Sequence, residues 1–240
     1  MITDQYFEKM VQILDEIRLT QAEKIKKTAE LVAKTIKQDG IIYIFGCGHS
    51  HLIALDCFYR AGGLANVSAM LDTDLMLHNG AAKSSKMEKM QGIAEEILKR
   101  YCITEKDFLF IVSTSGKNAV PVEMARLAQG NNIPHASILS SAYFSDKKEE
   151  PLLYECSDIY IDNCVPHGDA VMEIAGLSVK MGSVSTAASS FIMQSVLMEA
   201  AELAADAGTE PPVYMSGNVS GGADYNKALI DMYLPRIKHL

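Results

Sequence analysis

The chain has 240 residues, of which 48% are hydrophobic, and its net charge is −8 at pH 7. This length and apolar content allow one sizeable core, so we expect a single domain over residues 1–240. The 22 Lys and Arg against 30 acids leave no basic excess for nucleic acid. No apolar run approaches the roughly 20 residues of a membrane span, and Asp4 and Glu8 stand where a signal peptide would be apolar. We therefore expect a cytoplasmic protein that binds neither nucleic acid nor a membrane.

The cysteine and histidine spacing indicates no metal site and no other cofactor. The five cysteines contain no C-x-x-C pair, which argues against both a disulfide framework and a thiolate zinc site. His49 and His51 are close to Asp56 in sequence. However, alternate residues at a helix start diverge in direction, and no further His or Cys stands at ligand spacing. We expect one of these histidines to contact a ligand and the other to pack in the core.

Hydrophobic periodicity predicts an alternation of helices and strands. Residues 3–38 predict one or two amphipathic helices within an N-terminal helical segment, 1–39. Five short apolar runs predict buried strands at 41–45, 66–70, 108–112, 135–139 and 159–161. Helical patterns follow or separate them at 52–61, 90–101, 119–130 and 187–207. This order predicts an α/β fold, a doubly wound three-layer αβα sandwich with a parallel sheet of about five strands.

Two connections are longer than such a fold requires. Residues 71–89 are rich in polar and small residues, which predicts a functional loop or a lid over a ligand. Residues 208–223 precede a final predicted helix at 225–237. Together they form a C-terminal helical tail, 208–240, which we expect to reach across a subunit interface.

The loop after the first strand has the composition of an anion-binding turn. Gly46 and Gly48 permit a tight turn and close approach of the backbone, and Ser50 falls at a helix start, where free N–H groups attract an anion. A dinucleotide-binding loop also opens with G-x-G, and Asp72 could act as its ribose-binding acid. The third glycine of that fingerprint is replaced by His51.

The loop after the third strand repeats this chemistry. Three hydroxyl residues in a row, Ser113, Thr114 and Ser115, are followed by Gly116 and lead into a helix. They offer several hydrogen-bond donors to one anion, with a helix N-terminus behind them. The alternative is an ordinary capped turn, although three hydroxyls exceed what one cap needs. Ligands bind at the carboxyl ends of strands in doubly wound sheets, so both loops together predict one phosphate site.

This pair of loops, G-x-G-x-S and S-x-S-G-x-N, resembles the sugar isomerase (SIS) domain family over roughly residues 10–205. Segments 75–80, 167–170 and 210–213 resemble its bacterial single-domain, phosphosugar-binding and phosphoheptose isomerase-like branch. The resemblance implies a flavodoxin-like fold and a phosphorylated sugar as the ligand. It carries ligand contact to two groups of residues. Side chains make the contact at Ser50, Ser113, Ser115 and Asn118, and the backbone makes it at Gly48 and Thr114. Of the two histidines in the first loop, we predict His49 as the one that contacts the ligand.

Residues 182–186 resemble the S-T dipeptide that opens the last long helix in family members. Ser185 and Thr186 then line the sugar, or one of them is a plain N-cap.

Catalytic residues are harder to identify. Aldose–ketose isomerisation needs a base and a second group that opens the ring, tasks suited to a carboxylate and a histidine. Several family members carry a glutamate near the helix after the first loop, but this chain has none between Glu30 and Glu88. We predict His78, Glu88 and Glu173 as candidates, in that order, because the first two lie on the suspected lid and histidine titrates near neutral pH.

Three functions remain open at this point. The first is a sugar-phosphate isomerase or a related carbohydrate-derivative enzyme. The second is a non-catalytic phosphosugar sensor, although only about 40 residues precede the first strand, too few for a DNA-binding domain and linker. The third is a nucleotide-binding α/β protein. For each, the apolar first helix and the C-terminal helix lead us to expect a homodimer or homotetramer.

Overall fold

A computed structural model describes residues 1–146 and 151–240. Its centre is a five-stranded, fully parallel sheet with the strand order β2-β1-β3-β4-β5. The predicted α/β architecture is therefore confirmed. The strands of this sheet are β1 (Ile42–Gly46), β2 (Val67–Met70), β3 (Phe108–Val112), β4 (His135–Leu139) and β5 (Ile159–Asp162).

Helices cover both faces of the sheet, which explains why the strands read as continuous apolar runs. Alternate side chains of β1 enter two separate apolar clusters, with Ile42 and Ile44 on one face and Tyr43 and Phe45 on the other. The helices of the described chain are α1 (Ile2–Thr20), α2 (Ala22–Lys37), α3 (His51–Cys57), α4 (Ala81–Met87), α5 (Ile93–Leu98), α6 (Ala119–Gly130), α7 (Ser185–Asp206) and α8 (Gly222–Tyr233).

The strand order fixes where a ligand site can form. β1 pairs with β2 on one side and with β3 on the other, so the chain reverses its direction of winding between β1 and β3. The loops that leave β1 and β3 diverge to opposite faces and leave a crevice at the carboxyl edge. Both predicted phosphate loops follow these two strands.

The predicted lid, residues 71–89, is folded rather than irregular. It consists of two 3-10 turns, Thr73–Leu75 and Leu77–Asn79, followed by α4. The buried Ser84 hydroxyl donates to the Leu75 carbonyl over 2.8 Å, which ties α4 to the first turn. Closure of this segment over a ligand stays a prediction.

Two helices are shorter than their patterns predict. α3 ends at Cys57 because Phe58 is extended and Tyr59 has a positive φ of 50°. α5 begins only after Gly92, whose φ is 85° and whose N–H donates to the Glu123 carboxylate. A glycine with positive φ interrupts a helix at little cost, which explains the late start of α5. The apolar pattern shows neither backbone turn and therefore overestimates both helix lengths.

The hydrophobic periodicity did not predict a small antiparallel hairpin between β5 and α7. Its strands are β6 (Ala170–Met172) and β7 (Met181–Ser183). The Tyr6 hydroxyl of α1 donates to the Ser183 carbonyl over 2.7 Å and holds the hairpin against the N-terminal helix. Three-residue strands are too short to show an alternating pattern.

The C-terminal tail packs on its own chain. Tyr214, Tyr233 and Ile237 are buried in the apolar cluster that contains Tyr43, and Arg236 Nη1 lies 2.9 Å from an Asp39 oxygen. These contacts remove one ground for expecting a subunit interface here, and the oligomeric state stays a prediction. Among residues 1–146 and 151–240, no helix combines the length and apolar content needed to cross a membrane.

Gly46 lets the first loop fold back onto β1. A Cβ atom at this position would lie 2.6 Å from the Ser50 carbonyl carbon and oxygen, which are backbone atoms that cannot move aside. We expect Gly46→Ala to lower the free energy of unfolding by about 1–3 kcal/mol in urea denaturation. Gly217→Ala is the matched control, because nothing lies within 4 Å of its Cβ position. Equal effects of the two substitutions would contradict this account.

Candidate functional site

The first loop is a tight turn held by a buried histidine. Gly48 has a φ of 56°, and the chain continues through a 3-10 turn, Gly48–Ser50, into α3. The His51 ring is only 3% exposed and its Nδ1 hydrogen-bonds the Gly48 carbonyl. Burial lowers the pKa of His51, so the ring is neutral and supports the loop. His49 is exposed, as expected if one histidine packs and the other meets a ligand.

The second loop is fixed by its neighbours while its hydroxyls stay accessible. The Ser113 N–H donates to the Ile138 carbonyl over 3.0 Å, and the Thr114 carbonyl accepts from the Ser140 N–H over 2.9 Å. Gly116, at φ 59°, turns the chain toward α6. These bonds order the backbone without using the side chains of Ser113, Thr114 or Ser115.

Three segments that are distant in sequence meet at one small cavity at the carboxyl edge of the sheet. They are the first loop with α3, the second loop with the end of β3, and the start of α7. The cavity is lined by His49, Ser50, Ile53, Val112, Thr114, Ser185, Thr186 and Ser189. The structure thus brings together five predicted contact residues, His49, Ser50, Thr114, Ser185 and Thr186.

The hydroxyl groups of the two loops are available for a ligand. In the part of the chain that the structure describes, those of Ser50, Ser113, Thr114 and Ser115 have no hydrogen-bond partner in the protein. All four residues are half-buried. Ser113, Thr114 and Ser115 shortly precede the N-terminus of α6, where the helix dipole and free N–H groups favour negative charge.

Glu88 is coupled to the second loop. Its backbone carbonyl accepts the Val120 N–H of α6 over 3.1 Å, and its carboxylate hydrogen-bonds the Asn118 side chain. Burial raises the pKa of Glu88, while Lys89 and Asn118 oppose the rise. A carboxyl group with a raised pKa next to a phosphate loop suits proton transfer. Asn118 occupies the N-cap position of α6, but its side chain makes no capping hydrogen bond.

His78 lies beside the first loop. It is exposed, and its ring centroid is 6.1 Å from that of His51 in an edge-to-face arrangement. The 71–89 segment therefore brings both of its candidates, His78 and Glu88, to the two phosphate loops.

Glu173 is in a different setting. It follows β6 in the exposed hairpin, its side chain is 82% exposed, and its carboxylate lies 3.4 Å from Lys180 Nζ. No contact in the described chain joins Glu173 to the two loops. Glu173 follows β5 in sequence, but it lies in the separate β6–β7 hairpin and not on the loop that leaves β5.

Asp169 shapes the third wall of the cavity. One of its oxygens accepts the N–H groups of Val184 and Ser185, at 2.9 and 2.8 Å, and the other accepts the Ser185 hydroxyl over 2.8 Å. The Asp169 carboxylate, which lies outside the helix, thus neutralises the partial positive charge at the N-terminus of α7. Ser185 is committed to Asp169 and is not a simple N-cap, whereas Thr186 is exposed at the cavity.

Sequence reasoning missed an ionic cluster beside the second loop. Lys117 Nζ lies 2.5 Å from an Asp146 oxygen, and His167 Nε2 lies 3.1 Å from the same oxygen. The Tyr143 ring stacks on His167 with centroids 4.4 Å apart. The only signal for this cluster in the sequence was the position of Lys117 within the hydroxyl-rich motif. Its partners follow two other strands, Asp146 after β4 and His167 after β5.

Comparison with known proteins agrees with this geometry. Residues 5–140 match the sequence profile of the SIS domain. The chain belongs to the SIS domain family. A UPF0309 protein of Geobacillus thermodenitrificans is 40% identical to this SIS protein over 238 residues, covering 98% of this chain and 96% of the relative. A UPF0309 protein of Brucella canis is 39% identical over 240 residues, covering 100% and 99%.

A solved structure supports the fold of this SIS protein. The phosphoheptose isomerase from Francisella tularensis matches it with a TM-score of 0.54 at 13% identity, covering 82% of this chain and 95% of that one. The family resemblance read from the two loops is therefore confirmed. At this identity the likeness concerns the fold, and function must be argued from the site.

The raised pKa of Glu88 has a consequence for stability. Burial penalises its ionised form only in the folded state, so its contribution to stability is greatest at low pH and falls as pH rises through the raised pKa. Glu88→Gln should therefore raise the melting temperature near pH about 7 and much less near pH about 4. Glu96→Gln is a control of opposite sign, because a hydrogen bond from Lys99 lowers the pKa of Glu96. A Glu88→Gln protein less stable at neutral pH would contradict the prediction.

Proposed function

We propose that this protein binds a phosphorylated sugar and acts on it as an aldose–ketose isomerase. The observation that carries the proposal is the meeting of the two hydroxyl-bearing loops and the start of α7 at one small cavity. Membership of the SIS domain family supports it, as does the fold shared with a phosphoheptose isomerase.

The phosphate would be held mainly by neutral donors. Hydroxyls of Ser50, Ser113 and Ser115 donate to phosphate oxygens, and α6 adds N–H groups and its dipole. The nearest cation on the loop, Lys117, is already paired with Asp146. Recognition by hydroxyls and N–H groups suits a monoester held tightly at one end, with the sugar extending toward Thr186 and the 71–89 segment.

Glu88 is the base that the geometry favours for the chemical step. Isomerisation removes the proton from the hydroxyl-bearing carbon next to the carbonyl and returns it to the former carbonyl carbon, through an enediol. A half-buried carboxylate with a raised pKa can accept and return that proton. His78, exposed beside the first loop, can move a proton between the two oxygens or open the ring.

One observation supports the rival function, a non-catalytic phosphosugar sensor. The acidic residue on the helix after the first loop, Asp56, is used structurally. It accepts from Ser190 and Gln194 of α7 over 2.8 and 3.1 Å, and it pairs with Arg60. α3 therefore offers no free carboxylate to the sugar, and catalysis depends on the 71–89 segment. The nucleotide-binding alternative has no comparable observation in its favour.

The phosphate grip predicts a loss of affinity in the double variant Ser113→Ala, Ser115→Ala. Each hydroxyl makes a charge-assisted bond that alanine cannot replace, so the affinity should fall about tenfold or more. A thermal-shift screen of hexose, amino-sugar and heptose phosphates selects the ligand, and calorimetry measures the change. Ser195→Ala is the matched control, since its hydroxyl bonds only the Phe191 carbonyl within α7. Unchanged affinity in the double variant would remove these loops from the site.

Proton exchange separates an isomerase from a sensor. Incubation of the selected sugar phosphate with the protein in deuterated water should place deuterium on the carbon next to the carbonyl, as measured by NMR. Glu88→Gln should abolish the exchange and preserve binding, because the phosphate contacts lie on other loops. His78→Asn should slow it, and Glu173→Gln, on the exposed hairpin, should leave it unchanged. Tight binding without exchange in the unaltered protein would favour the sensor.

A further inference from the structure

A second cavity lies at the opposite edge of the sheet from the phosphate loops. Its lining includes Ile41 and Asp107, which directly precede β1 and β3, so it opens at the amino ends of these strands. The C-terminal tail, from Leu234 onward, forms its other wall. Its volume of about 470 Å³ falls within the range of sites that hold small organic ligands.

Cationic side chains outnumber acidic ones in the lining of this cavity, although the protein is acidic, and one of them, Arg100, is paired with Asp72. The cationic side chains are those of Arg100, Lys106, Arg236 and Lys238. Only two acidic side chains line it, and both are engaged. Asp107 accepts the Ile41 and Thr104 N–H groups at 2.7 Å each, and Asp39 pairs with Arg236.

Two of the cations have no acidic partner. Within the described part of the chain, neither Lys106 nor Lys238 forms an ion pair, and both are exposed at the rim. Lys238 Nζ lies 5.4 Å from the centroid of the Tyr101 ring. In a chain with a net charge of −8, free lysines gathered at one cavity provide a local attraction for an anion.

Tyr43 is the second, independent sign of a ligand. It lines the cavity, is only 3% exposed, and its hydroxyl has no hydrogen-bond partner among the residues that the structure describes. Because its oxygen is not fully buried, the hydroxyl is free to donate into the cavity. The hydroxyl of its neighbour Tyr101 is already used, with the Leu71 N–H at 3.0 Å and His239 at 3.2 Å.

Apolar surface completes the cavity. The Tyr43 and Tyr101 rings meet edge to face with centroids 6.0 Å apart, and Ile41 and Ile237 are buried beside them. A ligand here would meet aromatic and aliphatic carbon on one side and cations on the other.

We propose that this cavity is a second ligand site, for a small organic phosphate that carries a flat apolar group. The phosphate lies between Lys106 and Lys238, one ligand oxygen accepts the Tyr43 hydroxyl, and the ring packs against Tyr101. The site is separate from the phosphate loops, because the two occupy opposite ends of the same strands.

The test uses phenyl phosphate, the smallest molecule with both features, titrated by calorimetry into the full-length protein. The background is the Ser113→Ala, Ser115→Ala variant, which weakens binding at the phosphate loops. We expect saturable binding that weakens as salt is added, since exposed cations are screened. Phenol, which lacks the charge, should bind at least about tenfold more weakly if the cations contribute.

Substitutions locate the binding. The double variant Lys106→Glu, Lys238→Glu should bind phenyl phosphate at least about tenfold more weakly. The control variant Lys27→Glu, which changes an exposed lysine on α2, should keep its affinity. Tyr43→Phe removes a single oxygen and keeps the packing, so a fewfold loss with an unchanged melting temperature is expected. The proposal is overturned if no binding occurs in the serine variant background, if phenol binds equally well, or if the double charge reversal has no effect.

Discussion

The pairing of β1 with both β2 and β3 is the constraint on which the rest of this structure depends. It places β1 at the centre of a parallel sheet that is buried on both faces, so every strand must be apolar throughout. It also fixes the point where the winding of the chain reverses. The loops that leave β1 and β3 therefore diverge at the carboxyl edge, and the serine and threonine hydroxyls of the predicted ligand site lie there.

Within that crevice, rigid support and free polar groups are divided between different residues. Three residues have structural roles. His51 hydrogen-bonds the Gly48 carbonyl, and Gly46 permits the close turn. Asp169 neutralises the positive end of the α7 dipole. The hydroxyls of Ser113 and Ser115 stay without protein partners. Such a division pre-organises the donors, because little reorganisation is needed when an anion arrives. The half-buried Glu88 lowers the stability of the folded protein in return, because burial opposes the ionisation of its carboxyl group.

The two ends of the sheet have different chemistry. The carboxyl edge offers hydroxyls and a helix N-terminus, whereas the amino edge offers lysines, arginines and two tyrosines beneath the C-terminal tail. β1 and β3 run between them as short, fully buried strands. Tyr43 of β1 lines the cavity at the amino edge, and Val112 of β3 lines the cavity at the carboxyl edge.

The sequence by itself determined the architecture and the positions of the two hydroxyl-bearing loops at the strand ends. The apolar pattern predicts the bounds of β3, β4 and α6 to the residue, because buried strands and helices follow a simple periodicity. The serines of both loops follow strands whose carboxyl ends meet at the same edge of any parallel sheet. Only the tertiary structure decided the roles of single side chains. It showed that Asn118 meets Glu88, that Ser185 is bound by Asp169, that Glu173 faces solvent, and that Tyr43 borders a cationic cavity. These facts depend on contacts between segments far apart in the chain, which no local pattern of residues encodes.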